Sequence, residues 1–235
     1  ETVEMIVIEN HTTSQARNIG LDLAQGEIIS FLGDDTVPQK DWLEKVLDFH
    51  QKHPKKKAVL LGKVSWTPEL AQDPFHQWLE QHAQFQWNKI AARADSPPVK
   101  GGLGGDNAWK FFYTSNISLK KSFINEERFS TKFKGWGFED TELGYRLSQK
   151  GMKLHFDASC EVLHDHEMTE EGLIQNTRNA RKNAPIFAKL HPKVNILPSN
   201  LKKIILKLLI ILTWPLQFIS KKTYWWRIWK KNWLG

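Results

Sequence analysis

Asp34 and Asp35 follow directly on an apolar run at residues 28–32. Acids are poor strand formers, and two adjacent carboxylates repel each other. A divalent cation bridging to phosphate oxygens relieves that repulsion. The run Gly33-Asp34-Asp35-Thr36 is also good turn chemistry by itself. A turn and a metal site therefore both stand as readings.

A second group is Gly135-Trp136-Gly137-Phe138-Glu139-Asp140-Thr141-Glu142. Glu139 and Asp140 open a predicted helix, where the helix dipole favours ionised carboxylates. Asp140 as a cap, with Glu142 pairing to Arg146 one turn on, accounts for the acids alone. It does not account for the aromatic, glycine-rich loop before them. Such a loop makes a flat, apolar-faced pocket of the kind sugar rings need. A carboxylate there can serve as general base toward a hydroxyl. A third group is His164-Asp165-His166, after a short apolar run. Two histidines flanking an acid read either as structural groups or as metal ligands.

The elements that must position these residues are legible in outline. Residues 5–8 form an apolar run that reads as a buried strand. A helix follows, with Thr13 or Ser14 as cap, Ala16, Ile19 and Leu23 as its apolar stripe and Gly26 at its end. Strands are predicted at 28–32 and 58–63, with a helix over 41–52 between them that buries Trp42, Val46 and Phe49. This β-α-β-α-β order implies parallel pairing with right-handed crossovers. Ligands in such sheets bind beyond the carboxyl ends of the strands, which is where Asp34 and Asp35 fall. Further on, the pattern predicts a helix over 74–93, a loop over 96–105, a strand over 111–119 and a helix over 140–150. Short strands at 153–156 and 161–163 come next, then a helix from Thr169 toward His191.

Composition bounds the rest. The 235 residues carry a formal net charge of +7 and are 40% hydrophobic, enough for one α/β domain and an appendage. Eight basic residues and no Asp or Glu lie from Asn200 onward, which leaves the body close to neutral. A neutral body argues against a nucleic-acid-binding fold. One cysteine, Cys160, excludes an internal disulfide and fits a reducing compartment. The tail has an apolar stretch at 204–219, short of the ~20 residues of a typical span. Tyr224, Trp225, Trp226, Trp229 and Trp233 follow, interleaved with Lys and Arg. That pattern reads as an interfacial membrane anchor, with a helix docked on the domain as the alternative.

Taken in order, the three acidic groups resemble the GT-A glycosyltransferases of the family 2-like type. Ala16-Arg17-Asn18-Ile19-Gly20 and the strand at 28–32 resemble the approach to that family's "DXD" metal site. Residues 112–119 resemble a segment preceding its "ED" motif, which residues 138–147 resemble in turn. The resemblance implies an α/β, Rossmann-like, mostly parallel sheet with flanking helices over 1–195, lacking its first strands. Residues 196–235 would form the apolar and basic membrane-associated helix. It implies an inverting transferase that moves a sugar from a nucleotide-diphosphate donor to a glycan or lipid-linked acceptor, with Mn2+ or Mg2+. Asp140 is then the catalytic base. Asp35 and His164 are metal ligands, and Asp34, Trp136, Glu139 and Asn116 bind substrate. The expected setting is cytoplasmic and membrane-associated. Gly33 stands where the family often has an acid, and the chain opens in mid-strand, so a non-catalytic carbohydrate-recognition module is the rival expectation.

Overall fold

The computed structural model describes residues 5–9, 11–82 and 107–197, together with Tyr224, Arg227, Ile228 and Lys231. The architecture is α/β. Its strands are β1 (Ile28–Leu32), β2 (Thr36–Pro38), β3 (Ala58–Trp66), β4 (Asn116–Lys120) and β5 (Lys153–His164). Its helices are α1 (Thr13–Leu23), α2 (Trp42–Lys52), α3 (Pro74–His82), the single turn α4 (Lys121–Ile124), α5 (Glu139–Gln149) and α6 (Glu170–Leu190).

The strands form one sheet in the order β1-β4-β3-β5-β2. The expectation of a mostly parallel sheet is corrected here. Among the described ladders only β3–β5 is parallel, whereas β1–β4, β3–β4 and β2–β5 are antiparallel. The cause is β4. It enters between β1 and β3, antiparallel to both, so those two strands still point the same way without touching.

Central β3 is buried on both faces, as its unbroken apolar run requires: Val59, Leu60 and Leu61 are fully buried. Trp42, Val46 and Phe49 of α2 join this core at the expected helical spacing, with Leu143 and Leu147 of α5 and Phe187 of α6. The strands predicted at 153–156 and 161–163 are one strand. β5 carries extra residues where its register against β3 shifts between Gly62 and Lys63. Asn116 fills that irregularity. Its Nδ2 donates to the carbonyls of Lys63 and Cys160, both at 2.9 Å. Its Oδ1 accepts from Trp42 Nε1 at 3.1 Å. A Cβ at position 62 would lie 2.2 Å from Asn116 Nδ2 and 2.3 Å from the Cys160 carbonyl, so only glycine fits there.

Three local expectations change. Residues 5–8 are not a strand among the described residues; Met5 and Val7 are exposed. An apolar run extends stably only where a neighbour accepts its backbone bonds, and none of β1–β5 does so. The cap of α1 is Thr12, which forms a capping box with Gln15. The inward side of α1 is not the Ala16–Leu23 stripe, for Leu23 is exposed and Leu21 buried. Polar bonds set that rotation: Asn18 donates to the Phe129 carbonyl at 2.9 Å and accepts from the Phe129 amide at 2.8 Å. Finally, the strand predicted at 111–119 begins only at Asn116, after a 3-10 turn over Ala108–Phe111.

Residues 83–93, the loop at 96–105 and the apolar stretch at 204–219 lie outside the described residues. Of the tail, the described side chains dock on the domain. Ile228 is buried with Trp66, Phe75, Leu79 and Ile174. Arg227 pairs with Glu170 at 2.6 Å and Lys231 with Glu171 at 3.2 Å. Tyr224 packs on Phe75. Positions 224, 227, 228 and 231 share one helical face, so the docked-helix alternative holds for these four. Among the described residues no helix is long and apolar enough to cross a membrane.

Candidate functional site

A cleft of about 710 Å³ opens at the carboxyl ends of β1 and β5. Its floor is the turn after β1. Thr36 closes that turn on the Gly33 carbonyl through its amide at 3.2 Å and its hydroxyl at 2.7 Å. The β2–β5 ladder then sets Thr36 opposite His164, and the Asp165 amide donates to the Asp35 carbonyl at 2.8 Å. Register alone thus delivers the Asp35 side chain to His164, with Oδ2 3.3 Å from Nε2. His164 is buried, and loss of solvent pulls its pKa below the ordinary value despite the neighbouring carboxylate. The imidazole is therefore neutral at pH 7, the form that ligates metals.

These residues fit a divalent cation. Two ligand atoms each about 2.1 Å from one ion lie roughly 3.0–3.4 Å apart, the range in which this pair falls. Among the described residues no cluster of three His, Cys, Asp or Glu forms. The other coordination positions of an ion here would go to phosphate oxygens and water. Gly33 gives Asp35 its room, since a Cβ at 33 would meet Asp35 Oδ1 at 2.6 Å.

The opposite wall is the first turn of α5. The chain reaches it through Gly135, Gly137 and Phe138, all at positive φ. Phe138, at φ 78°, is strained for a residue with a side chain. Packing against Phe187 holds its ring in place. Asn183 of α6 stitches the loop from below. Its Nδ2 donates to the carbonyls of Gly137 at 2.8 Å and Lys134 at 3.1 Å, and its Oδ1 accepts from the Lys134 amide at 3.3 Å. The result presents Trp136, 53% exposed, over the cleft.

Asp140 Oδ1 accepts from the Thr141 amide at 2.6 Å and from its hydroxyl at 3.2 Å. Burial, then the adjacent Glu139 carboxylate, push the Asp140 pKa up to about 6; Arg17 and the Thr141 bonds oppose them. Glu139 is itself buried. Arg17 Nη1 reaches its Oε1 at 3.0 Å, while its Oε2 has no hydrogen-bond partner among the described residues. Burial and the Asp140 charge also raise the Tyr113 hydroxyl, which therefore stays protonated. A carboxylate that titrates near neutrality beside an unsatisfied acceptor suits general-base work on a hydroxyl.

Arg17 carries a testable consequence. Removing its charge disfavours ionised Asp140, so its pKa rises further. Arg17→Gln should move the acid limb of the kcat/KM pH profile to higher pH. A limb that stays in place, or moves to lower pH, would show that Arg17 does not act on this carboxylate.

The cleft brings together Asp34, Asp35, Trp136, Glu139, Asp140 and His164 of the sequence-predicted set. It does not include Asn116. That amide is buried and fully engaged with Lys63, Cys160 and Trp42, so its assignment to substrate is replaced by a role in the sheet. His166 stands off, its ring 6.2 Å from that of His164. The pairing of Glu142 with Arg146 is present at 2.9 Å, away from the cleft. Sequence reasoning missed Arg17, Asn176 and Asn179 as cleft residues. Arg17 lay inside a segment read only as helix. The two asparagines are three apart on a predicted helix, a spacing that places them on one face.

The family model described as Glycosyl transferase family 2 matches residues 2–105. The one described as N-terminal domain of galactosyltransferase matches residues 107–170. A validoxylamine A glucosyltransferase of Streptomyces hygroscopicus subsp. jinggangensis is 26% identical over 196 residues, covering 78% of this chain and 46% of the relative. A glucosyl-dolichyl phosphate glucuronosyltransferase of Haloferax volcanii is 25% identical over 185 residues, covering 76% of this chain and 49% of the relative. The chain thus spans about half the length of these relatives. Among solved structures, a mannosyltransferase from Pyrobaculum calidifontis in complex with GDP-Man and Mn2+ aligns over 95% of this chain and 65% of its own. The identity is 13% and the TM-score 0.46.

Proposed function

We propose that this chain is a glycosyltransferase of the family 2-like type, a reading that the two family matches support, and that it transfers a sugar, with inversion, from a nucleoside-diphosphate donor to an acceptor hydroxyl in the cleft described above. One observation carries the reading. Asp35, His164 and Asp140, far apart in the chain, face one cavity large enough for a nucleotide sugar.

The roles follow from the geometry. Asp35 and His164 would hold Mn2+ or Mg2+ at the diphosphate. When bound, that ion supplies positive charge for the leaving nucleoside diphosphate. Asp34, exposed at the same turn, lies where the donor's ribose or sugar would rest. Asp140 takes the proton of the acceptor hydroxyl as its oxygen bonds to the anomeric carbon. The bond from that carbon to the diphosphate oxygen breaks on the opposite face. Glu139 lines the same cleft beside the donor and acceptor sugars, and the pairing with Arg17 keeps the Glu139 charge from being left unopposed beside Asp140. Trp136 offers an aromatic plane to the acceptor.

The test uses the full-length protein with a panel of nucleotide sugars, following release of nucleoside diphosphate, together with Mn2+ binding by calorimetry in the presence of UDP or GDP. Mn2+ is expected to bind with one of these nucleotides, and Asp35→Ala to weaken that binding by about a hundredfold. Unchanged Mn2+ affinity in Asp35→Ala would count against the metal assignment. Failure of every nucleotide sugar to react would count against the transferase reading.

A further inference from the structure

The acceptor side of the cleft has a chemistry unlike the donor side. Around Asp35 and Asp140 the walls are charged. Across from them, α6 contributes Asn176, Asn179 and Ala180, next to Trp136, and no ionised group. Asn176 and Asn179 are one helical turn apart, half-buried and on the same face of α6. Asn179 lies against the loop that carries Trp136, where a Cβ at Gly135 would sit 2.9 Å from its Nδ2. Its Oδ1 accepts from Gln175 Nε2 at 3.2 Å, which orients the amide.

We propose that Asn176 and Asn179 are specificity-determining residues that read the hydroxyls of a pyranose at the acceptor end of the cleft, so that the group receiving the new bond belongs to a carbohydrate. The inference rests on the transferase reading above and goes on to name its acceptor class. A side-chain amide both donates and accepts, as a sugar hydroxyl does. An indole face covers the C–H face of a pyranose while the amides meet its rim. A phosphate or carboxylate acceptor calls for Arg or Lys in this wall, and α6 presents none there. An alkyl chain would offer neither amide a hydrogen bond in exchange for the water it displaces.

The loop geometry makes such a reading exacting. Asn183 fixes the backbone of Lys134 and Gly137 to the same helix that bears Asn176 and Asn179. Aromatic plane and amides are thereby held on one rigid support. A site built in this way to bond hydroxyls rejects analogues that lack them far better than an apolar pocket does.

The experiment titrates the full-length protein, by saturation-transfer NMR, with methyl glycopyranosides of glucose, galactose, mannose and N-acetylglucosamine, and with dodecyl phosphate as the non-sugar probe. UDP and GDP binding with Mn2+ is measured in parallel. At least one glycoside is expected to bind. The double substitution Asn176→Ala with Asn179→Ala should weaken it about tenfold or more, while nucleotide binding stays within about twofold. Alanine is the better helix former, so α6 is expected to fold in the variant. Glycoside affinity unchanged in the variant, or binding of dodecyl phosphate alone, overturns the inference. If wild-type protein also fails to bind either nucleotide with Mn2+, the transferase reading falls with it.

Discussion

Asp140→Asn should lower sugar transfer by about 10²–10⁴-fold, the usual contribution of a positioned general base. The same substitution should make the protein more stable at pH 8. Both effects have one origin. Burial and Glu139 hold the Asp140 pKa up near 6, above its unfolded value of 3.8. The folded state therefore binds this proton more tightly than the unfolded state, and stability falls as pH rises through the interval between those two values. Above about pH 6 the ionised carboxylate is a full liability, on the order of 3 kcal/mol at about 1.36 kcal/mol per unit. Asparagine keeps an oxygen for the Thr141 amide and hydroxyl but carries no charge beside Glu139. At pH 8, without metal, its melting temperature should rise by roughly 6–12 °C. Below pH 4 the gain should vanish, because aspartate is then protonated in both states. Thermal melts across that range, beside transfer assays, read both halves. An Asp140→Asn protein that is inactive yet no more stable at pH 8 would mean the carboxylate is not strained, and the acid limb would need another source.

Asn116→Asp should unfold the protein far more readily, with a loss of about 3–5 kcal/mol. The side chain keeps its shape, but an oxygen replaces the Nδ2 that donates to the Lys63 and Cys160 carbonyls. Three oxygens then converge where the β3–β5 ladder is irregular. A buried acceptor left unmatched costs about 1–3 kcal/mol, and more when the intruding group is charged. Protonation of the new carboxyl would recover only one of the two bonds. The expected readout is a melting temperature lower by roughly 10 °C, with KM for the nucleotide sugar unchanged in whatever remains folded. A raised KM at unchanged melting temperature would return Asn116 to the substrate site.

These two residues also show what a sequence can disclose. Asp140 was legible because its neighbours are odd for a helix start. Capping explains an acid at that position, but nothing in helix energetics asks for Gly-Trp-Gly-Phe before it. Asn116 gave no comparable sign. Its partners are backbone carbonyls, which carry no sequence signature, and the close approach of Gly62 that makes room for it is a tertiary fact. The pairing of Asp35 with His164 was expressible only as two acidic or imidazole groups at strand ends; the β2–β5 register that joins them depends on a three-residue strand too short to read as one. The strand over 28–32 was clear from its apolar run and the helix over 41–52 from the spacing of Trp42, Val46 and Phe49. The sheet direction was not, because alternating elements imply parallel pairing only if nothing is inserted between them. The rotation of α1 was hidden for a related reason. Arg17 and Asn18 are drawn inward by Glu139 and Phe129, and no periodicity of apolar residues reports that.

The strand order has a consequence for how the molecule is made. Strands from the first third of the chain, β1, β3 and β2, alternate across the sheet with β4 and β5 from later residues. Each early strand finds its partner only after many intervening residues have been synthesised: Ile28 waits for Lys120, Ala58 for Lys153, Thr36 for His164. Closing such distant loops before any contact rewards them makes for slow folding. On the ribosome, β1, β2 and β3 emerge with their edges open and must be kept from pairing with other chains until β4 and β5 arrive. Neither portion can mature alone, and the turn that carries Asp34 and Asp35 meets His164 only once residue 164 has left the exit tunnel.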